Sequence, residues 1–187
     1  MCRPSILLNS FALCIWSVAV YCVQDWEYVL LRVESNTTNA DLVKFDLRPM
    51  RVSQGVYACN GTILAGKDFD NSYSVDFKLY RSASGNNDFK ATPFGLPTTT
   101  FYKFMNSIYI KMLQEDLKDC TNVPQYKGEF EGPMLAGLYT YNKCVISTDG
   151  MPGHGQPGVY RATGHFFGDD VDVWISVFLE VFTKAVI

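Results

Sequence analysis

The chain has 187 residues, 48% of them hydrophobic, and a formal charge of −3 at pH 7. That length builds one domain with a sizeable core, burying about two-thirds of the surface the unfolded chain exposes. The weakly acidic balance leaves no basic footprint for nucleic acid or an anionic membrane surface, which excludes nucleic acid as a working partner.

The first residues stand apart from the rest. Arg3 gives a positive start, and the apolar run SILLNSFALCIWSVAVYC carries no charge before Asp25. This is the pattern of a secretory signal peptide over residues 1–22, with Val20 and Cys22 at the −3 and −1 positions of the cleavage site. An uncleaved membrane anchor is the competing reading, but polar Asn9 and Ser10 interrupt the run. No later stretch is long and apolar enough to cross a membrane as a helix. The expectation is a single domain over residues 23–187, secreted and extracellular.

Secretion changes how cysteine is read. Cys2, Cys14 and Cys22 leave with the leader, and Cys59, Cys120 and Cys144 remain. An odd count in an oxidising compartment allows at most one intramolecular bridge and leaves one thiol over. Two sequons, Asn36-Thr37-Thr38 and Asn60-Gly61-Thr62, fit the same address as sites of N-glycosylation at Asn36 and Asn60.

Beyond the leader, short segments rich in β-branched and aromatic residues follow one another, separated by Asn, Thr, Gly and Ser. WEYVLLRVE, LVKFDLRPMRV and GVYACNGTILA come first, and KDFDNS reads as the loop before the next strand. In SYSVDFKLYRS, Tyr73, Val75, Phe77 and Leu79 alternate with Ser74, Asp76, Lys78 and Tyr80, the period of a half-buried strand. From Thr98 to Asp119 the period changes. Phe101, Phe104, Met105, Ile108, Met112 and Leu113 recur at helical spacing, extended by Leu117, with Pro97 ahead and a threonine run as N-cap. GLYTYNKCVIS and GVYRATGHFF give two more strands, and GDD at 168–170 is a hairpin turn.

The last strand, DVDVWISVFLEVF, is apolar on both faces. Val171, Val173, Ile175, Val177, Leu179 and Val181 share one, and Trp174 and Phe178 lie on the other. It is covered on both sides or lines a cavity. Antiparallel strands at roughly ten-residue spacing predict a mainly β domain, a β-sandwich or β-cup with one amphipathic helix lying across the sheets.

Candidate chemistry is thin. GMPGHGQPGVY, residues 150–160, is glycine-rich, but a phosphate cradle needs a helix to follow and a strand pattern follows instead. A zinc site needs three or four ligands, and His154 and His165 are the two histidines present, so no metal is expected. The carboxylates of GDDVD lack the rest of a calcium loop. Cys59 follows an apolar segment without the electropositive setting a reactive thiol needs. No nucleophile motif is present, so neither catalysis nor a cofactor is expected, and a secreted hydrolase is the weakest alternative. What abounds is bulky apolar surface: 13 Phe, 11 Tyr and 3 Trp. The helix FYKFMNSIYIKML would suit an adaptable hydrophobic wall, although an ordinary core explains the composition equally well.

Taken in order, the blocks NGTILAGKDFDNSYSVDFKLYRS, TPFGLPTTTFYKFMNSIYIKML, DCTNVPQ, GLYTYNKCVI and GMPGHGQPGVYRATGHFF resemble the insect CheA/CheB chemosensory proteins of the ML lipid-recognition superfamily, which includes the ganglioside activator protein. The resemblance covers most of the chain beyond the leader. It implies an immunoglobulin-like β-cup that holds a hydrophobic small molecule between its sheets without catalysis. It also implies a gustatory setting in sensory lymph, where a contact pheromone is detected. On this reading the cavity is lined by Phe94, Phe101, Phe104, Met105, Ile108 and Met112, with Trp174 and Phe178 or the opposite face of the last strand. Family members often carry two further cysteines where this chain has Tyr102 and Gly132, and the bridge that remains is Cys120 with Cys144. A protein-interaction module, or a co-receptor for a sensory-neuron channel, is the alternative from another class.

Overall fold

The structure, a computed structural model, describes residues 24–148, 151 and 153–184. The leader expected over residues 1–22 lies outside the described residues. Eight strands form two antiparallel sheets: β1 (Trp26–Thr37), β2 (Val43–Ser53), β3 (Val56–Ala65), β4 (Ser74–Ser82), β5 (Lys90–Thr100), β6 (Gly137–Cys144), β7 (Gly158–Phe167) and β8 (Asp172–Thr183). The larger sheet has the order β1-β8-β7-β4-β5 and the smaller β2-β3-β6. The fold is a mainly β two-sheet sandwich carrying one helix.

β5 is the strand that sequence pattern passes over. KATPFGLPTTT contains two prolines, which cannot donate to a ladder, and the strand accordingly sits at a sheet edge. Its pairing with β4 slips twice, between Val75 and Phe77 and again between Lys78 and Tyr80. The threonine run expected to cap the helix belongs to this strand, with Thr99 opposite Val75 and Thr100 opposite Ser74. β-branched residues favour that extended state.

The helix therefore begins at Phe101, three residues later than expected. Thr100 makes no side-chain cap, and the first free N–H groups are met from the loop before β4. Phe101 N–H donates to the Tyr73 carbonyl at 2.9 Å, and Tyr102 N–H donates to Asn71 Oδ1 at 3.2 Å. Residues 101–117 are continuous: α1 (Phe101–Phe104), a π-helical stretch (Met105–Leu113) and α2 (Gln114–Leu117). The buried positions are Phe101, Met105, Tyr109 and Leu117, with Leu113 half-buried, an even four-residue spacing. An α-helix turns about 100° per residue, so such a row would drift by about 40° at each step. The wider π turn keeps it on one face.

Cys120 and Cys144 form a disulfide with a Cα–Cα distance of 5.3 Å, tying the chain just after the helix to the end of β6. Asn142 N–H donates to the Cys120 carbonyl at 2.8 Å beside it. Tyr102 packs edge-on against Phe130, with ring centroids 5.1 Å apart, two residues before Gly132. Aromatic packing thus holds the helix start to the 118–136 segment.

Candidate functional site: the apolar space between the sheets

Strand alternation fixes which side chains enter the sandwich. From the larger sheet Val75, Phe166 and Val173 turn inward, and from the smaller sheet Val43, Ala65 and Tyr139 meet them. At the helix end this interior is sealed. Phe101 stands edge-on to Phe166 at 5.6 Å and to Phe130 at 6.0 Å, while Tyr73 stacks on Phe166 at 5.2 Å.

Away from the helix the seal opens. On the same inward face, Phe77 and Leu79 of β4, Ala162 of β7, and Ile175, Val177 and Leu179 of β8 are all half-exposed. β7 and β8 are central strands, where a closed sandwich buries its inward residues most completely. The smaller sheet presents Leu47, Tyr57 and Cys59 toward them, also half-exposed.

Ile146, Gly153 and Gly155 meet the first residues of β1 and the residue before it. Ser147 N–H donates to Asp116 Oδ2 at 2.7 Å, and Tyr28 donates its hydroxyl to the Ile146 carbonyl at 2.7 Å. Asp25 N–H reaches the Gly153 carbonyl at 3.1 Å, and His154 pairs with Asp25. Gly155 lies on the Trp26 ring so closely that a Cβ would come within 2.6 Å of it. These described parts of the glycine-rich loop do structural work, and His154 is exposed.

The interior side of the helix and β6 is rich in phenols. Burial pushes Tyr109 up to about 12, and the neighbouring Tyr126 and Tyr139 add to the shift. Burial likewise raises Tyr141, with Tyr109, Cys59 and Tyr139 contributing, and raises the Cys59 thiol. These groups remain neutral at ordinary pH. Tyr139 donates to the Leu135 carbonyl at 2.6 Å, whereas the buried Tyr109 hydroxyl has no hydrogen-bond partner among the described residues.

The residues singled out from sequence divide into three places. Phe101 and Met105 are buried in the sealed half, and Phe104 and Ile108 are half-buried on the helix. Met112 is 53% exposed, because the π stretch turns Tyr109 rather than residue 112 inward, and Phe94 is 61% exposed on edge strand β5. Trp174 and Phe178 lie on the face of β8 turned away from the smaller sheet, since Val173 of the same strand belongs to the core. There Trp174 stacks on His165 with centroids 3.7 Å apart. His165 also lies 3.1 Å from Asp172 and 3.5 Å from Asp76. Phe178 is covered by the Arg32 guanidinium at 3.9 Å and by Phe89, beside a pocket of about 120 Å³. Sequence reasoning missed Tyr109, Tyr139, Tyr141 and Phe166. The even spacing of residues 101, 105, 109, 113 and 117 was the signal that could have found the first.

Residues 75–162 match a family model described as a protein of unknown function, DUF1091. The match covers just under half of the chain, from β4 through the helix and disulfide into β7. No curated protein matches the chain.

Proposed function

We propose that this chain is a secreted chemosensory protein that binds a hydrophobic ligand, such as a lipid, cuticular hydrocarbon or contact pheromone, between its two sheets. The observation that carries this reading is the half-exposed inward row Leu79, Ala162, Ile175, Val177 and Leu179 on central strands. Apolar side chains in that position are stabilised when something apolar covers them, at about 25 cal/mol per Å². A flexible chain gains about 0.8 kcal/mol per buried CH₂, enough for micromolar binding after ordering costs. Length and shape of the space then set specificity.

The matched domain, which is one found in insect proteins of the ML superfamily, contains three of the five blocks that carry the chemosensory resemblance and part of the other two. Of the sequon asparagines, Asn36 is exposed on β1, whereas Asn60 is half-buried with its Oδ1 accepting Lys143 N–H at 3.3 Å. Glycosylation in secretion therefore favours Asn36.

A second reading, a module that docks on a sensory-neuron receptor or channel without its own ligand, draws on the tip of the β2–β3 hairpin. Met50, Val52 and Val56 are exposed there. Native mass spectrometry of the secreted protein with extracted lipids separates the two. The carrier reading expects bound or exchangeable lipid, and protein that stays empty in every extract overturns it.

A further inference from the structure

We infer that the ligand carries one uncharged oxygen group, an alcohol, carbonyl or ester on an otherwise apolar chain, and that the Tyr109 hydroxyl binds it. This rests on the carrier reading above and names the ligand class and the residue that selects it.

Tyr109 is 7% exposed, and its hydroxyl is buried without a hydrogen-bond partner among the described residues. Buried hydroxyls nearly always have a partner, and one left unmet is worse than the phenylalanine that would fill the same space. The amide side chains around it are satisfied. Asn106 exchanges two bonds with the Phe130 backbone, at 2.7 and 3.1 Å. Gln114 does the same with the Tyr126 backbone, at 2.9 and 3.0 Å. Tyr139 and Tyr28 each reach a carbonyl. Among these phenols Tyr109 is the one whose hydroxyl is fully buried without a partner among the described residues, and it sits in the middle of the π-helical stretch. Such irregular turns are frequent at functional sites, and this one is what brings residue 109 onto the buried face.

The chemistry of the neighbours narrows the class. The ionisable groups acting on Tyr109 are the phenols of Tyr126 and Tyr139, and Tyr109 in turn acts on Tyr141 of β6, which also feels Cys59. All are neutral when protonated, and burial holds them so. A carboxylate brought there would lose its hydration and meet no opposite charge among these groups. A neutral oxygen needs one donor or acceptor, which a hydroxyl supplies in either sense.

The test compares octadecane, octadecanol, methyl octadecanoate and octadecanoate on the wild type and on Tyr109→Phe, by native mass spectrometry and by displacement of a fluorescent fatty probe. On the wild type the two neutral oxygenated chains bind roughly 3- to 10-fold more tightly than the alkane. In Tyr109→Phe that preference over the alkane disappears, and an unchanged circular dichroism spectrum shows that the variant is folded. The thermal midpoint of the empty variant is expected to rise, because only an unmet hydroxyl is removed. Equal affinity for alkane and alcohol on the wild type, a preference that survives in the variant, or tightest binding of octadecanoate overturns this inference and leaves the carrier reading standing. Failure of all four chains to bind either protein overturns both.

Discussion

At Gly61 the backbone φ is +139°, and a Cβ there would lie 1.9 Å from the Asp46 carbonyl oxygen of the neighbouring strand. Gly61 pairs with Leu47 on one side and Tyr141 on the other, next to a slip in register after Cys59. A side chain at this point forces the two strands apart, so Gly61→Ala is expected to cost about 2–4 kcal/mol, combining backbone strain with lost pairing. Urea unfolding measures it, and a loss below ~1 kcal/mol would contradict the close approach. In sequence this glycine is the middle of a sequon, which says nothing about strand packing. Cysteine is similar. Counting leaves one thiol of three over without naming it, because partners are set by the fold rather than by spacing. In the structure that thiol is Cys59, which β3 places opposite the bonded Cys144.

Elements with a single clear period were legible in sequence, and those where two propensities compete were not. The strand SYSVDFKLYRS alternates cleanly and forms β4. The helix announces itself by its apolar residues, but its start and its buried face depend on contacts that local pattern does not carry. Prolines and threonines draw residues 90–100 into an edge strand, and the cap comes from Asn71, thirty-one residues before the N–H it binds. Asn71→Ala removes that acceptor and is expected to lower stability by about 1 kcal/mol, the usual worth of a helix N-cap. Amide exchange gives the sharper readout, because faster exchange should be confined to the first turn near Tyr102. Unchanged protection there would mean that the bond to the Tyr73 carbonyl suffices to hold the helix start. The buried face escaped sequence reading for a different reason. A 3.6-residue template selects Ile108 and Met112, whereas the wider turns of the π stretch select Tyr109.

Across the whole molecule, the phenols between helix and smaller sheet couple stability to alkaline pH. Tyr109 titrates at about 12 in the fold against an ordinary 10.0, and Tyr141 is also raised, in both cases chiefly by burial. A raised folded pKa means the fold prefers the protonated phenol. Their contribution is therefore complete below pH 10, where neither state ionises, and is lost as the pH climbs through 10 toward 12 and beyond. On the acid side Asp70, Asp88 and Asp170 are held below their ordinary 3.8, by Ser72, by Ser82 and by Lys67 respectively. That contribution is present above the ordinary value and fades below it, but these carboxylates are fully exposed and solvent screens them. Stability should therefore fall gently in acid and steeply in alkali. Tyrosinate absorbance followed together with far-ultraviolet circular dichroism checks this. Tyr109 and Tyr141 should ionise only as the circular dichroism collapses, well above the ordinary value of 10.0. One smooth titration near pH 10 in a protein that stays folded would contradict the buried phenols. A neutral ligand held between the sheets binds the folded state alone, so saturating it should move that unfolding transition to higher pH.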